Sequence, residues 1–232
     1  MHNNYKKNLL EFSKPYKRYK ERRLYPNQVF DVLKRTLDFI MALFAIVLNL
    51  PLMILIGVLI KSDSKGAAIY KHKRVGLHGQ QFYVYKFRSM ICTNKPLDEI
   101  FTSEQMEEFK RNYKLDNDPR ITRIGKFLRR TNLDELPQFF NILLGKMSFV
   151  GPRPVLQEET ALYGKDRELL LSVVPGLTGY WQVNSRSCTA YKERIDMELY
   201  YIENRSVFLD IKIIIKTIVV VFFGKAESKT SY

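Results

Sequence analysis

Two adjacent acids, Asp134 and Glu135, lie in Thr131-Asn132-Leu133-Asp134-Glu135-Leu136-Pro137-Gln138, inside a chain whose formal net charge is +14. Cations gather anions, and a carboxylate can attack one. A carboxylate nucleophile beside a second carboxylate able to hold a divalent ion is a pairing suited to phosphoryl chemistry. Cations to collect phosphates are close at hand: Arg120, Arg123, Lys126, Arg129 and Arg130 all precede the pair. Further on, Pro152-Arg153-Pro154 fixes the backbone around an arginine, so that its planar fork is presented to a phosphate. A second rigid turn, Pro175-Gly176-Leu177-Thr178-Gly179, leads to Trp181, Gln182, Asn184 and Arg186.

The elements around these residues must position them. Thr131 or Asn132 is a reasonable N-cap, and Pro137 is tolerated only early in a helix, which predicts a helix ending at Gly145 with the acid pair in its first turn. There the helix dipole favours negative charge, and adjacent residues point about 100° apart, so the two acids are suited to different tasks. Taken alone, acids at such a place are ordinary capping residues. Ala68 to Ser89 reads as a β-hairpin turning at Gly76-Leu77-His78-Gly79. On its second arm Phe82, Val84, Lys86 and Arg88 share a face, which either solvates a strand or presents two cations. Residues 93–118 are polar and predict a surface excursion with a short helix from Ser103.

From Phe39 to Ile60 the chain carries no charge and is long enough to cross a hydrocarbon core. Pro51 near its middle removes a backbone donor, and Asn49 is placed to satisfy a carbonyl freed by that break. Lys34 and Arg35 precede the run and Lys61, Lys65, Lys71, Lys73 and Arg74 follow it. A spanning helix normally has one positive side, so basic flanks at both ends favour a helix that re-enters the same leaflet, with a kinked spanning helix as the alternative. Residues 5–23 interleave basic and aromatic side chains, as in an arm on anionic headgroups or a solvated tail. Near the other end, Phe208 to Phe223 reads as an interfacial helix with Lys212 and Lys216 on one face.

At 232 residues the chain suits one sizeable catalytic domain, and its pI near 9.7 implies an anionic partner. Cys92 and Cys188 are isolated, and His2, His72 and His78 are too scattered for a zinc site.

Several ordered stretches resemble the bacterial sugar transferases, or monotopic phosphoglycosyl transferases. They are Tyr85 to Met90, Asp118 to Gly125, Leu133 to Gln138, Ser148 to Pro154 and Pro175 to Val183, and the likeness runs from about Lys34 to about Gly224. The resemblance implies transfer of a sugar 1-phosphate from a UDP-sugar to undecaprenyl (polyprenyl) phosphate, with release of UMP. It assigns Asp134 as nucleophile, Glu135 as the Mg²⁺ ligand, and Lys86, Arg88, Arg129, Arg153 and Arg186 as phosphate contacts. It also implies a re-entrant helix broken near Asn49 and Pro51. The chain departs from the pattern at Leu50, where Ser-Pro is frequent, and at Lys146, Val174, Ser185 and Glu198.

The reading is an α+β, predominantly helical protein, with a membrane-embedded re-entrant helix, a small β-hairpin and amphipathic interfacial helices around a cytoplasmic-face active site. Residues 1–33 form a basic arm, 34–224 the transferase domain and 225–232 a polar tail. Membrane lipids are expected partners and nucleic acid is not, at the cytoplasmic face of the bacterial inner membrane, where surface glycan assembly begins. The competing readings are a membrane-anchored basic protein that binds nucleic acid or anionic lipid without catalysis, and a transferase that forms no covalent intermediate.

Overall fold

A computed structural model describes residues 28–93, 96–112, 115, 117–184 and 191–223. The basic arm up to residue 27, Ser185, Arg186 and the tail from residue 224 lie outside the described residues.

The longest element is α1, Gln28–Asp63, a single helix that contains Pro51. It begins inside the stretch assigned from sequence to the basic arm, and its apolar part is long enough to cross a membrane. Most of that surface is uncovered, with Phe44, Val47, Leu48, Ile54 and Val58 all more than 60% exposed. A thin stripe made by Ala42, Ile46, Met53, Ile56 and Ile60 is buried against the rest of the chain. Helical structure continues through Pro51, so the break expected there does not interrupt the element. Asn49 Nδ2 donates to Ala45 O at 2.8 Å. The carbonyl that Pro51 leaves without its usual i+4 donor is that of Val47, so Asn49 does not take the role expected of it.

Strands β1, Ile69–Val75, and β2, Gln81–Phe87, form the antiparallel hairpin expected from sequence. Tyr70 pairs with Lys86, His72 with Val84 and Arg74 with Phe82, so these six side chains share one face. Helix α2, Ser103–Asn112, starts where expected. Helix α3, Arg123–Thr131, is capped by Thr122, whose hydroxyl accepts from Gly125 N at 2.9 Å. A Cβ at Gly125 would collide with the carbonyl of Ser89, so the glycine lets α3 lie directly against the chain leaving the hairpin.

After α3 the chain makes a 3₁₀ turn, Leu133–Glu135, and then α4, Gln138–Leu143. Strand β3, Ser148–Val150, pairs in parallel with β4, Gly176–Thr178. Gly151 and Gly176 face each other so closely that a Cβ on either would strike the other's backbone, which joins the two proline-rich turns. Such three-residue strands carry no readable periodicity. The remaining helices are α5, Arg167–Leu171, α6, Tyr180–Asn184, α7, Tyr191–Asn204, and α8, Val207–Phe223. On α8, Phe208, Ile211, Ile215, Ile218 and Val219 are exposed, while Asp210 and Ile213 face inward.

Both ends of α1 are fastened to this body. Toward its start, Arg35 donates to Ile142 O and Leu143 O at 2.7 and 2.8 Å, covering the carbonyl end of α4. Lys34 Nζ lies 2.5 Å from Asp210 Oδ2, and Asp38 Oδ1 accepts from Phe149 N at 3.1 Å. At its end, Asp63 Oδ2 accepts from Ile124 N at 3.2 Å.

Candidate active site

The acid pair lies in the tight turn between α3 and α4 rather than in the first turn of a long helix. Asn132 makes the turn with φ 56°, a left-handed conformation that asparagine tolerates better than most residues. Leu133 and Leu136, on either side of the acids, pack on the cluster of Met53, Ile56, Ile60, Phe87 and Leu128. The leucines therefore hold the turn against the C-terminal half of the apolar helix. From the other side Asn141 on α4 grips β2, accepting from Tyr85 N at 2.9 Å and donating to Tyr83 O at 2.7 Å. That grip sets Lys86, the residue after Tyr85 on the strand, opposite the acids.

Lys86 Nζ donates to Glu135 Oε1 at 3.0 Å. Asp134 is 7% exposed, and its pKa is pushed up to about 6, first by burial and then by the neighbouring Glu135 charge. Lys86 and Arg129 pull the other way. The sequence places Asp134 where a helix dipole keeps it ionised; the turn instead buries it, which leaves it mostly ionised at neutral pH and more basic than an ordinary carboxylate. Arg129 is held by Ser89, with Nε donating to Oγ at 2.8 Å.

A cationic field surrounds the pair. His72 is lowered to about 4, by burial first and then by Arg74, Lys86 and Arg153. It is therefore neutral at physiological pH, and it registers how positive this face of the hairpin is. Arg74 is paired with Glu159 at 3.3 Å. Asp118 grips Arg120 through contacts of 2.9 and 2.6 Å; burial raises the Asp118 pKa, and these bonds outweigh it and hold the carboxyl below its usual value. This accounts for the Asp-Pro-Arg stretch as a structural clasp.

The expected phosphate contacts divide three ways. Lys86 and Arg129 act directly on Asp134, and Arg153 interacts with Glu135. Arg88 departs from expectation. It is 3% exposed and donates to Lys65 O, to Ser64 O at 2.7 Å and to Ile60 O at 3.2 Å. Three of its hydrogen bonds close the carbonyl end of α1, because the strand ends at Phe87 and Arg88 passes under that helix. Arg186 lies outside the described residues.

The sequence reading missed a buried node behind Arg153. Glu198, 2% exposed, accepts from the Tyr163 hydroxyl, from Arg194 Nε at 3.3 Å and from Arg153 N at 3.4 Å. The one available signal was the departure at Glu198, where the family that the sequence resembles frequently has the shorter aspartate. Its longer side chain spans from α7 to the backbone of the proline-braced arginine.

Fold and site together define a class: a helix-rich protein whose buried carboxylate pair sits among cations at the foot of a long, uncovered apolar helix. The family model described as "Bacterial sugar transferase" matches residues 29–224. The chain belongs to the bacterial sugar transferase family. It is 44% identical over 192 residues to a "UDP-galactose-lipid carrier transferase" of Erwinia amylovora, covering 82% of this chain and 40% of that protein. It is 43% identical over 192 residues to an "Undecaprenyl-phosphate galactose phosphotransferase" of Salmonella typhimurium, again covering 82% of this chain and 40% of the relative. With the "Exopolysaccharide production protein ExoY" of Rhizobium meliloti, identity is 42% over 197 residues, covering 84% of this chain and 87% of the relative. The chain thus spans 40% of the length of the first two relatives.

Proposed function

We propose that this protein transfers a sugar 1-phosphate from a UDP-sugar to undecaprenyl phosphate, through a covalent intermediate on Asp134, as a first membrane step in surface glycan assembly. The observation that carries the reading is the environment of Asp134: a desolvated, basic carboxylate beside a second acid, Lys86 and Arg129, braced by leucines on the apolar helix. The names of the relatives supply the substrate classes.

An Asp134 carboxylate oxygen attacks the β-phosphorus of the UDP-sugar. The bond from that phosphorus to the bridging oxygen breaks, and UMP leaves with the electron pair. The sugar phosphate is then held on Asp134 as an acyl phosphate. A phosphate oxygen of the lipid attacks the same phosphorus, the acyl–phosphorus bond breaks, and the Asp134 carboxylate is restored. Lys86, Arg129 and Arg153 balance the phosphate charge during both displacements.

Among the described residues no group of three acid, histidine or cysteine side chains gathers to hold a metal. Mg²⁺ is commonly held by one or two carboxylates together with substrate phosphates, so Glu135 and the diphosphate fit it. When bound, the ion supplies charge neutralisation at the diphosphate.

The attachments of α1 bear on the membrane arrangement. Its apolar run is about 33 Å long, enough to part its ends across a bilayer core if it spanned. Yet Lys34 and Arg35 before the run, and Asp63 after it, bind the same folded body. This supports a helix inserted from the cytoplasmic face with both ends on that side, with the exposed apolar face of α8 at the lipid boundary.

The test is UMP release across a panel of UDP-sugars with undecaprenyl phosphate and Mg²⁺. Release by the wild type and none by Asp134→Asn is expected; normal turnover by that variant would sink the mechanism.

A further inference from the structure

Three polar side chains meet behind Arg153, on α6 and α7, and each leaves a buried atom unused. Trp181 Nε1, Tyr191 Oη and Arg194 Nη2 have no hydrogen-bond partner among the described residues. The Arg194 guanidinium carbon lies 4.9 Å from the centre of the Trp181 ring and 5.0 Å from that of Tyr191, so one cation touches both rings. Arg194 itself is 4% exposed, while both rings are half-buried. An unmade hydrogen bond at a buried polar atom is costly, and three in one place mark a surface built for something that accepts.

The chemistry of the missing acceptor is narrowed by its neighbours. Both oxygens of Glu198 are already engaged, by Tyr163, Arg194 Nε and Arg153 N. Asn184 donates to Tyr180 O and accepts from Lys216 at 2.8 and 2.7 Å. What remains among the described residues is therefore a set dominated by donors, beside two aromatic faces. Sugar hydroxyls need acceptors as well as donors and match such a set poorly. A planar ring carrying carbonyl oxygens matches it well, since its edge accepts and its face stacks.

We propose that Trp181, Tyr191 and Arg194 form the nucleobase subsite and read the carbonyl edge of uracil. The proposal rests on the transferase reading for its substrate class. The connection to the acid pair is Arg153: its backbone N–H binds the same Glu198 oxygen as Arg194, and its charge acts on Glu135. A diphosphate at Lys86 and Arg153 thus has its nucleoside end toward this cluster. Cytosine would turn an amino group toward donors where uracil offers a carbonyl, so the same arrangement selects UDP- over CDP-linked sugars.

The experiment is calorimetric binding of UMP, CMP and pyrophosphate to the full chain in detergent. It compares the wild type with Tyr191→Phe, which removes only the hydroxyl, and Trp181→Phe, which removes the indole N–H and leaves a smaller aromatic ring. Thermal melts confirm that both variants fold. The expected result is tighter binding of UMP than of CMP by the wild type, with each variant weakening UMP about tenfold and leaving pyrophosphate unchanged. Equal affinity of the wild type for UMP and CMP, unaltered UMP binding by both variants, or parallel loss of UMP and pyrophosphate would each overturn it. Because binding is read without turnover, a wild type that prefers UMP yet releases none from any UDP-sugar would refute the transfer reaction and leave this subsite standing.

Discussion

At the level of single residues, burial raises the Asp134 pKa and so sets the pH behaviour of this carboxyl. Its pKa is raised to about 6, so the folded state holds this proton more tightly than the unfolded chain does. The contribution to stability is therefore greatest in acid and is lost as pH rises from the ordinary carboxylate value to about 6. In the proposed mechanism activity runs the opposite way, because it is the ionised form that would attack: UMP release is expected to rise with pH through about 6 and level off above it. Lys86 lowers this pKa, so in Lys86→Met the acidic limb of the kcat/KM profile moves to higher pH; a limb that stays or moves down would contradict the assigned coupling. Arg88 offers a contrast two positions along the chain. Arg88→Met strips charged donors from the end of α1 and is expected to cost about 3 kcal/mol, read as a drop in melting temperature. Lys86→Met, whose pair with Glu135 is part-exposed, leaves the melt nearly unchanged while activity falls. The strand alternation that aligned Lys86 and Arg88 holds only as far as Phe87, which is why their separate fates were not legible in the sequence.

Among the elements, the decisive join is between α1 and the body that carries the site. Lys34 on α1 pairs with Asp210 on α8; Asp210 also accepts from Tyr201 at 2.7 Å, and Tyr201 donates to Val150 O at 3.1 Å. Val150 ends β3, immediately before Gly151 and the proline-braced Arg153, so the pair orients a strand that feeds the site. Asp210→Ala leaves Lys34 without its close partner and is expected to destabilise the fold by about 3 kcal/mol, measured by chemical denaturation. Exchanging the two residues, Lys34→Asp with Asp210→Lys, restores part of that loss; no recovery would show that the pair's charge is not what matters. The hairpin, the short helix from Ser103 and the C-terminal helix were all legible, because each carries a sustained pattern or a turn signal. The acid turn was not, because the expected helix divides at Leu136 and Pro137 into a 3₁₀ turn that holds the acids and a short α4. The β3–β4 pairing was equally hidden, being specified by two distant glycines in close approach.

For the whole molecule, charge and hydrophobicity divide the surface by role: an apolar helix largely uncovered, an exposed apolar face on α8, and a cationic site beside the first of these. The apolar run, the excess of cations and the adjacent acids could be read directly from sequence. The gathering of Lys86, Arg129 and Arg153 required the fold, since hairpin, helix and proline turn converge only in three dimensions. The re-entrant topology proposed for α1 is tested at its two ends. Single cysteines placed at Val29 and Ser62 in a cysteine-free background are expected to react with a membrane-impermeant reagent from the cytoplasmic side alone. Labelling of the two positions from opposite sides would mean that α1 spans. The central claim is the covalent step on Asp134, and it is tested most directly by incubating the protein with a labelled UDP-sugar and Mg²⁺ without lipid phosphate, then mapping adducts by peptide mass spectrometry. The account predicts a sugar phosphate on Asp134 with stoichiometric UMP release, absent in Asp134→Asn. Turnover with lipid phosphate present, but no adduct and no UMP burst in its absence, would contradict it.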